Sequence, residues 1–170
     1  MDREPALHDF EKARGEWEAA FAKVPDAALT YLKPGDDYSL GGLQVHVNWV
    51  LEHYNRVLNG VVAAGFEQIG PQDPPRAEDR AREGMRRGLA DDERGPLLDE
   101  MDQLHVAVRA MCAKLPESDW SRKAPVVYGE GQDPYPTSAD DIVGWLRDHY
   151  REHVEQSADL IEGWKAASRA

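Results

Sequence analysis

The chain carries a single cysteine, Cys112, so no intrachain disulfide is open to it. That fits a reducing compartment, where thiols stay free. No apolar run approaches the about 20 residues needed to cross a bilayer. The opening Met1-Asp2-Arg3-Glu4-Pro5 is charged and lacks the basic-then-apolar pattern of a secretory signal. The expectation is a soluble, cytoplasmic protein. Positive charge is scarce: 20 Lys and Arg stand against 32 Asp and Glu, a net charge of −12 with neutral histidines. Nucleic-acid affinity comes from clustered cations that neutralise phosphates, so this balance argues against nucleic acid as a partner. It argues equally against anionic membranes. Also missing are a glycine-rich phosphate loop, a Gly-x-Ser-x-Gly elbow, and the Glu-x-x-His motifs on two helices that a di-iron bundle requires.

What is present is a sequence of 170 residues, 41% hydrophobic and 31% charged, enough for one domain, 1–170, with a core of its own. Four segments carry helical periodicity and none shows sustained alternation. Leu7, Phe10, Trp17, Phe21 and Val24 mark the first, which Pro25-Asp26 ends. The second follows Pro34-Gly35, with Asp37 or Ser39 placed to cap it, and runs from Leu40 to Gly65. Leu97 to Leu115 make the third, with Pro96 in its first turn and Pro116 after it. The fourth starts at a Thr137 or Ser138 cap and buries Ile142, Trp145, Leu146, Leu160, Ile161 and Trp164. Between the second and third lies a polar stretch, loop at first and then an exposed arginine-rich run open to helix formation. Residues 117–137 hold too many prolines and glycines for a regular element, save a short extended piece at Val126-Val127-Tyr128. The fold class expected is all-α, a four-helix bundle with long crossover connections.

The histidines are where chemistry would sit. With His149 at zero on the fourth helix, His153 falls near 40°, Gln156 near −20° and Glu152 near −60°, among the apolar residues or on their flank, at about 100° per residue. Two imidazoles four residues apart on a buried stripe need partners or a ligand, and can reach one metal ion. His46 and His53 share one side of the second helix about 10.5 Å apart, too far for both to bind one ion, so either could complete the site. His105 lies on the inner stripe of the third helix. It, His53, Gln156 and Glu152 are candidates to orient a ligand or face a substrate. His8 reads as surface and Cys112 as core. His149-Tyr150-Arg151-Glu152-His153 matches an inverted zinc-protease motif formally, but no distant third ligand follows it.

Three stretches resemble the DinB-like (DinB/YfiT) superfamily of metalloenzymes, which includes thiol-dependent transferases and mycothiol-dependent maleylpyruvate isomerase. Tyr38-Ser39-Leu40-Gly41-Gly42-Leu43-Gln44-Val45-His46 is similar to the family's aromatic-hydroxyl opening of its second helix, with a ligand histidine seven residues after the hydroxyl. Leu115-Pro116-Glu117-Ser118-Asp119-Trp120 is like its acidic turn, and the segment from Ile142 to Gln156 like its fourth helix with a His-x-x-x-His pair. The resemblance implies an up-down-down-up bundle, often a homodimer, and a divalent transition metal, zinc or nickel, on His46, His149 and His153. It implies a low-molecular-weight thiol, with mycothiol one choice, and an electrophilic substrate: a thiol-dependent S-transferase or isomerase. The alternatives are a metal or small-molecule binding protein without catalysis, and a helical interaction domain whose histidines are hydrogen-bonded core residues.

Overall fold

A computed structural model describes residues 2–169. Its elements are α1 (Arg3–Phe21), α2 (Gly42–Ala63), α3 (Ala77–Arg87), α4 (Arg94–Lys114), β1 (Ala124–Val126), β2 (Tyr135–Thr137) and α5 (Ala139–Ala167). The chain is mostly helical, but with five α-helices where four were expected. The additional one is α3, built by the arginine-rich run. Its only buried side chain is Met85, so apolar periodicity is nearly silent there. A Glu78–Arg82 pair one turn apart and Arg86 and Arg87 in the last turn favour the helix instead. The second difference is the small sheet: β1 pairs antiparallel with β2, Ala124 opposite Thr137 and Val126 opposite Tyr135, and Ile69 bridges to Val126. Gly129, Gly131 and Pro134 lie in the connection between the two strands, Pro125 and Pro136 within them, and the extended piece lies slightly earlier than Val126-Val127-Tyr128.

Helix α1 lies along α5, while α2 packs on α4, α3 and α5. Phe10, Trp17 and Phe21 of α1 are fully buried. At the rim of this contact, Arg151 donates to Asp9 at 2.6 Å and Glu16 at 2.9 Å, which holds α1 in register with α5. Inside, the Trp17 indole N–H donates to Gln44 Oε1 at 2.9 Å, the Gln44 amide to Asn48 Oδ1 at 2.8 Å, and the Asn48 amide to Glu100 at 2.7 Å. This buried polar line ties α1, α2 and α4 together. Each link is worth about 1 kcal/mol net when made, and a buried group left unpaired costs about 1–3 kcal/mol.

The start of α2 is fixed by Ser39, one of the two expected caps. Its hydroxyl accepts the Gly42 amide at 3.0 Å and donates to the Met85 carbonyl at 3.0 Å, joining α2 to the end of α3. Asp37 lies outside, opposite Arg86. The approach is so close that a Cβ on Gly42 would lie 1.7 Å from the Met85 carbonyl oxygen. Gly88, at φ +81°, lets the chain leave α3 against Leu29. At α5, Ser138 and Asp141 make a reciprocal capping box: the Ser138 hydroxyl accepts the Asp141 amide, and the Asp141 carboxylate accepts the Ser138 amide.

Candidate metal centre

Three imidazoles meet where α2 crosses α5. His46 Nε2 lies 2.9 Å from His149 Nε2, and His153 Nε2 lies 3.0 Å from the same atom. All three ligand atoms fall within 4.8 Å of one another. His149 and His153 share a face because four residues advance just over one helical turn. Burial, with His153 beside it, pushes His46 down to about 4. Burial and both neighbouring rings push His149 down to about 2. His153 is lowered by burial against the opposing pull of Gln156. The rings are therefore neutral at pH 7, and each has a lone pair to offer.

The donor set fits a metal ion. One N–H can be shared between two rings, but three nitrogens turned on one point have no complementary group among the described residues. A cation would pair all three lone pairs, and imidazole nitrogens suit a transition metal ion. Orientation is set from behind. His153 Nδ1 lies 2.7 Å from Gln156 Oε1, which accepts its proton and leaves Nε2 bare. His46 has a buried Nδ1 with no hydrogen-bond partner and is held by stacking on Tyr38, ring centroids 4.5 Å apart.

Beside the histidines opens a cleft of about 520 Å³, lined by His46, His149, Trp49, His53, Trp145 and Glu152 among others. A smaller cavity of about 160 Å³ reaches His46 from the α3 side, between Tyr38, Trp49, Arg82 and Arg86. Of the residues singled out in the sequence, Gln156 touches a histidine of the group and Glu152 lines the cleft, exposed. His53 lines the same cleft two turns along α2 from His46, its Nδ1 2.6 Å from Asp73 Oδ2. His105 is elsewhere: it is fully buried, with Nε2 3.0 Å from Glu11 and Nδ1 3.3 Å from the Tyr150 hydroxyl. His8 is exposed. Cys112 is buried, and burial raises its thiol to about 12, so it is no nucleophile.

Tyr38 and Trp49 also wall the site. Trp49 was legible, since His46, Trp49 and His53 fall at i, i+3 and i+7 on α2. Tyr38 precedes the helix, where no periodicity marks it. Asp73 lies in the loop before α3, and nothing local ties it to His53.

No curated protein matches the chain. By fold it is similar to the crystal structure of the mycothiol-dependent maleylpyruvate isomerase, at a TM-score of 0.68 and 12% identity over 91% of this chain. An alanine-substituted form of that isomerase aligns at a TM-score of 0.70, also at 12% identity and 91% coverage. The chain spans 60% of the length of those isomerase chains. The DinB superfamily model matches residues 9–157, which takes in all three histidines of the cluster, the whole of α2 and the first two thirds of α5. The chain belongs to the DinB superfamily.

Proposed function

We propose that this protein is a metal-dependent enzyme that uses a low-molecular-weight thiol, as a thiol transferase or isomerase, with the divalent ion held by His46, His149 and His153. The observation that carries the reading is the convergence of three neutral Nε2 atoms beside an open cleft. The scaffold we infer for it is a four-helix bundle of α1, α2, α4 and α5, with α3 on the outside. A bound divalent ion supplies positive charge that favours the thiolate over the thiol. The chain's own residues do the rest. Gln156 keeps the His153 proton on Nδ1, Tyr38 holds the His46 ring, and Trp49, Tyr54 and Trp145 give the cleft apolar walls that limit water around a thiolate. The three ligand positions leave coordination open for sulfur.

The fold resemblance to an isomerase named for mycothiol supports thiol use. The test is elemental analysis of protein purified without a polyhistidine tag, followed by turnover of mycothiol and an electrophile by the zinc- or nickel-loaded protein. One ion per chain and turnover that His149→Ala abolishes are expected. Metal retained by His149→Ala together with no turnover would sink the reading. Stoichiometric metal with saturable ligand binding but no product would favour a binding protein.

A further inference from the structure

Two turns along α2 from His46, the cleft holds a second group whose arrangement is that of a proton-transfer dyad. His53 Nδ1 lies 2.6 Å from Asp73 Oδ2, so the carboxylate accepts the Nδ1 proton. The Asp73 carboxylate is itself flanked by Arg56, whose Nη1 lies 3.5 Å from Oδ1 and whose Nη2 pairs with Glu52. The ring is gripped on its faces and edge: Trp49 stacks at 5.7 Å, Tyr54 meets it edge-on at 4.8 Å, and Tyr128 comes in at 5.9 Å from the loop between β1 and β2. The second nitrogen, Nε2, has no hydrogen-bond partner among the described residues, and His53 lines the cleft that His46 and His149 also line. A carboxylate-oriented imidazole in a cleft wall, its second nitrogen unpaired, is the arrangement of a general acid–base, with the carboxylate fixing its tautomer. A surface ion pair would need neither the aromatic clamp nor the cleft.

The separation says what it could act on. Seven residues along α2 place His53 about 10.5 Å from His46, beyond the reach of sulfur bound among the three histidines. Its proton must go to a substrate atom several bonds from the carbon that the thiolate attacks. Conjugate addition has that demand: attack at the β-carbon delivers charge to the carbonyl oxygen at the other end of the conjugated system.

We propose that His53, positioned by Asp73, is the acid–base residue for a conjugated carbonyl substrate, giving a proton to its carbonyl oxygen as a thiolate adds and taking it back as the thiolate leaves. The proton released by the thiol passes through cleft water to Nε2. The thiolate electron pair then forms the S–C bond, the π pair of the double bond moves through to the carbonyl oxygen, and the Nε2 proton follows it. After rotation about the former double bond the steps reverse, and the S–C bond breaks. No other reactant is consumed. The charges that face the dyad are Arg56 and Glu52 on its own helix and Asp148 and Glu152 from α5 across the cleft.

The proposal rests on the thiol-dependent reading, and the test separates the two. In zinc-loaded protein labelled with ¹⁵N-histidine, NMR is expected to show the proton on Nδ1 of His53, and to show its Nε2 signal move when maleylpyruvate is added without thiol. With mycothiol and maleylpyruvate, His53→Gln should lower kcat at least a hundredfold with zinc content unchanged. Asp73→Asn should lower it about tenfold to a hundredfold while moving the ring proton to Nε2, and Asp73→Glu should restore both. An active wild type with His53→Gln within twofold of it overturns the dyad and leaves the thiol reading standing. An inactive wild type removes the thiol reading. In that case a His53 signal that still responds to the conjugated carbonyl supports the dyad as its binding partner, and an unmoved one overturns it.

Discussion

Two groups of buried histidine occupy this small protein, and they differ in the company they keep. His105 is fully buried with a carboxylate on one ring nitrogen, a tyrosine hydroxyl on the other and Phe10 stacked at 4.0 Å. Every polar atom of that ring is answered by a chemically complementary group. His153 is likewise buried and His46 and His149 are half-buried, yet the Nε2 atoms of these three face only one another. Burial lowers His105 to about 4 and His46 likewise to about 4, so desolvation does not tell the groups apart. The inventory of partners does. A satisfied ring is part of the scaffold, and like rings turned on a common point have the arrangement that a metal ion requires.

The sharpest way to break this contrast is to remove one ring from each group. His149→Ala should take the transition-metal content of untagged protein from about one ion per chain to less than about a tenth, measured by elemental analysis, because the remaining two histidines leave a deficient site. His105→Ala should leave metal content unchanged but cost about 2–4 kcal/mol in urea unfolding, since it opens a cavity beside Phe10 and strips Glu11 and Tyr150 of a partner. If His105→Ala lost the metal, or His149→Ala cost more stability than His105→Ala in metal-free protein, the two groups would not differ as described.

A smaller effect tests orientation. Gln156→Leu removes the acceptor of the His153 Nδ1 proton and should weaken zinc affinity by roughly 10–100-fold in a competition titration, without loss of the fold.

The pH dependence of metal-free protein joins both groups. Their rings are lowered in the fold, so below the ordinary histidine value of 6.5 the unfolded chain binds more protons than the folded one. Stability should be full above about pH 6.5 and decline as the pH falls toward about 4, with His105→Phe showing a shallower decline in urea midpoints. Smallest of all is the proton count. Because the three metal-site rings are already neutral at pH 7, zinc uptake should release less than about half a proton from them, read by calorimetry in buffers of different ionisation enthalpy.

Much of this was legible in the residues. Apolar spacing placed α1, α2, α4 and α5, and Ser39 and Ser138 mark two helix starts by side-chain hydroxyls that accept first-turn amides. Helix α3 was harder to see because a helix with one buried side chain carries little periodicity. The two strands were hidden because three-residue strands are too short for alternation to declare itself, and their prolines read as breakers. In the site, His149, His153 and Gln156 follow from one helix's own angles. His53 and Asp73 could not be paired, since they lie on different elements with no shared period.

The sequence by itself determined that two histidines of α5 share a buried face, because 3.6 residues per turn is a property of a single helix. It did not determine which histidine of α2 would join them. His46 and His53 sit on the same side of that helix, and periodicity gives the angle of a side chain but not how far one helix slides along another. The tertiary structure decided it, through the packing of α2 directly on α5. That packing sets His46 level with His149 and His153 and leaves His53 two turns further along α2, in the same cleft and paired with Asp73.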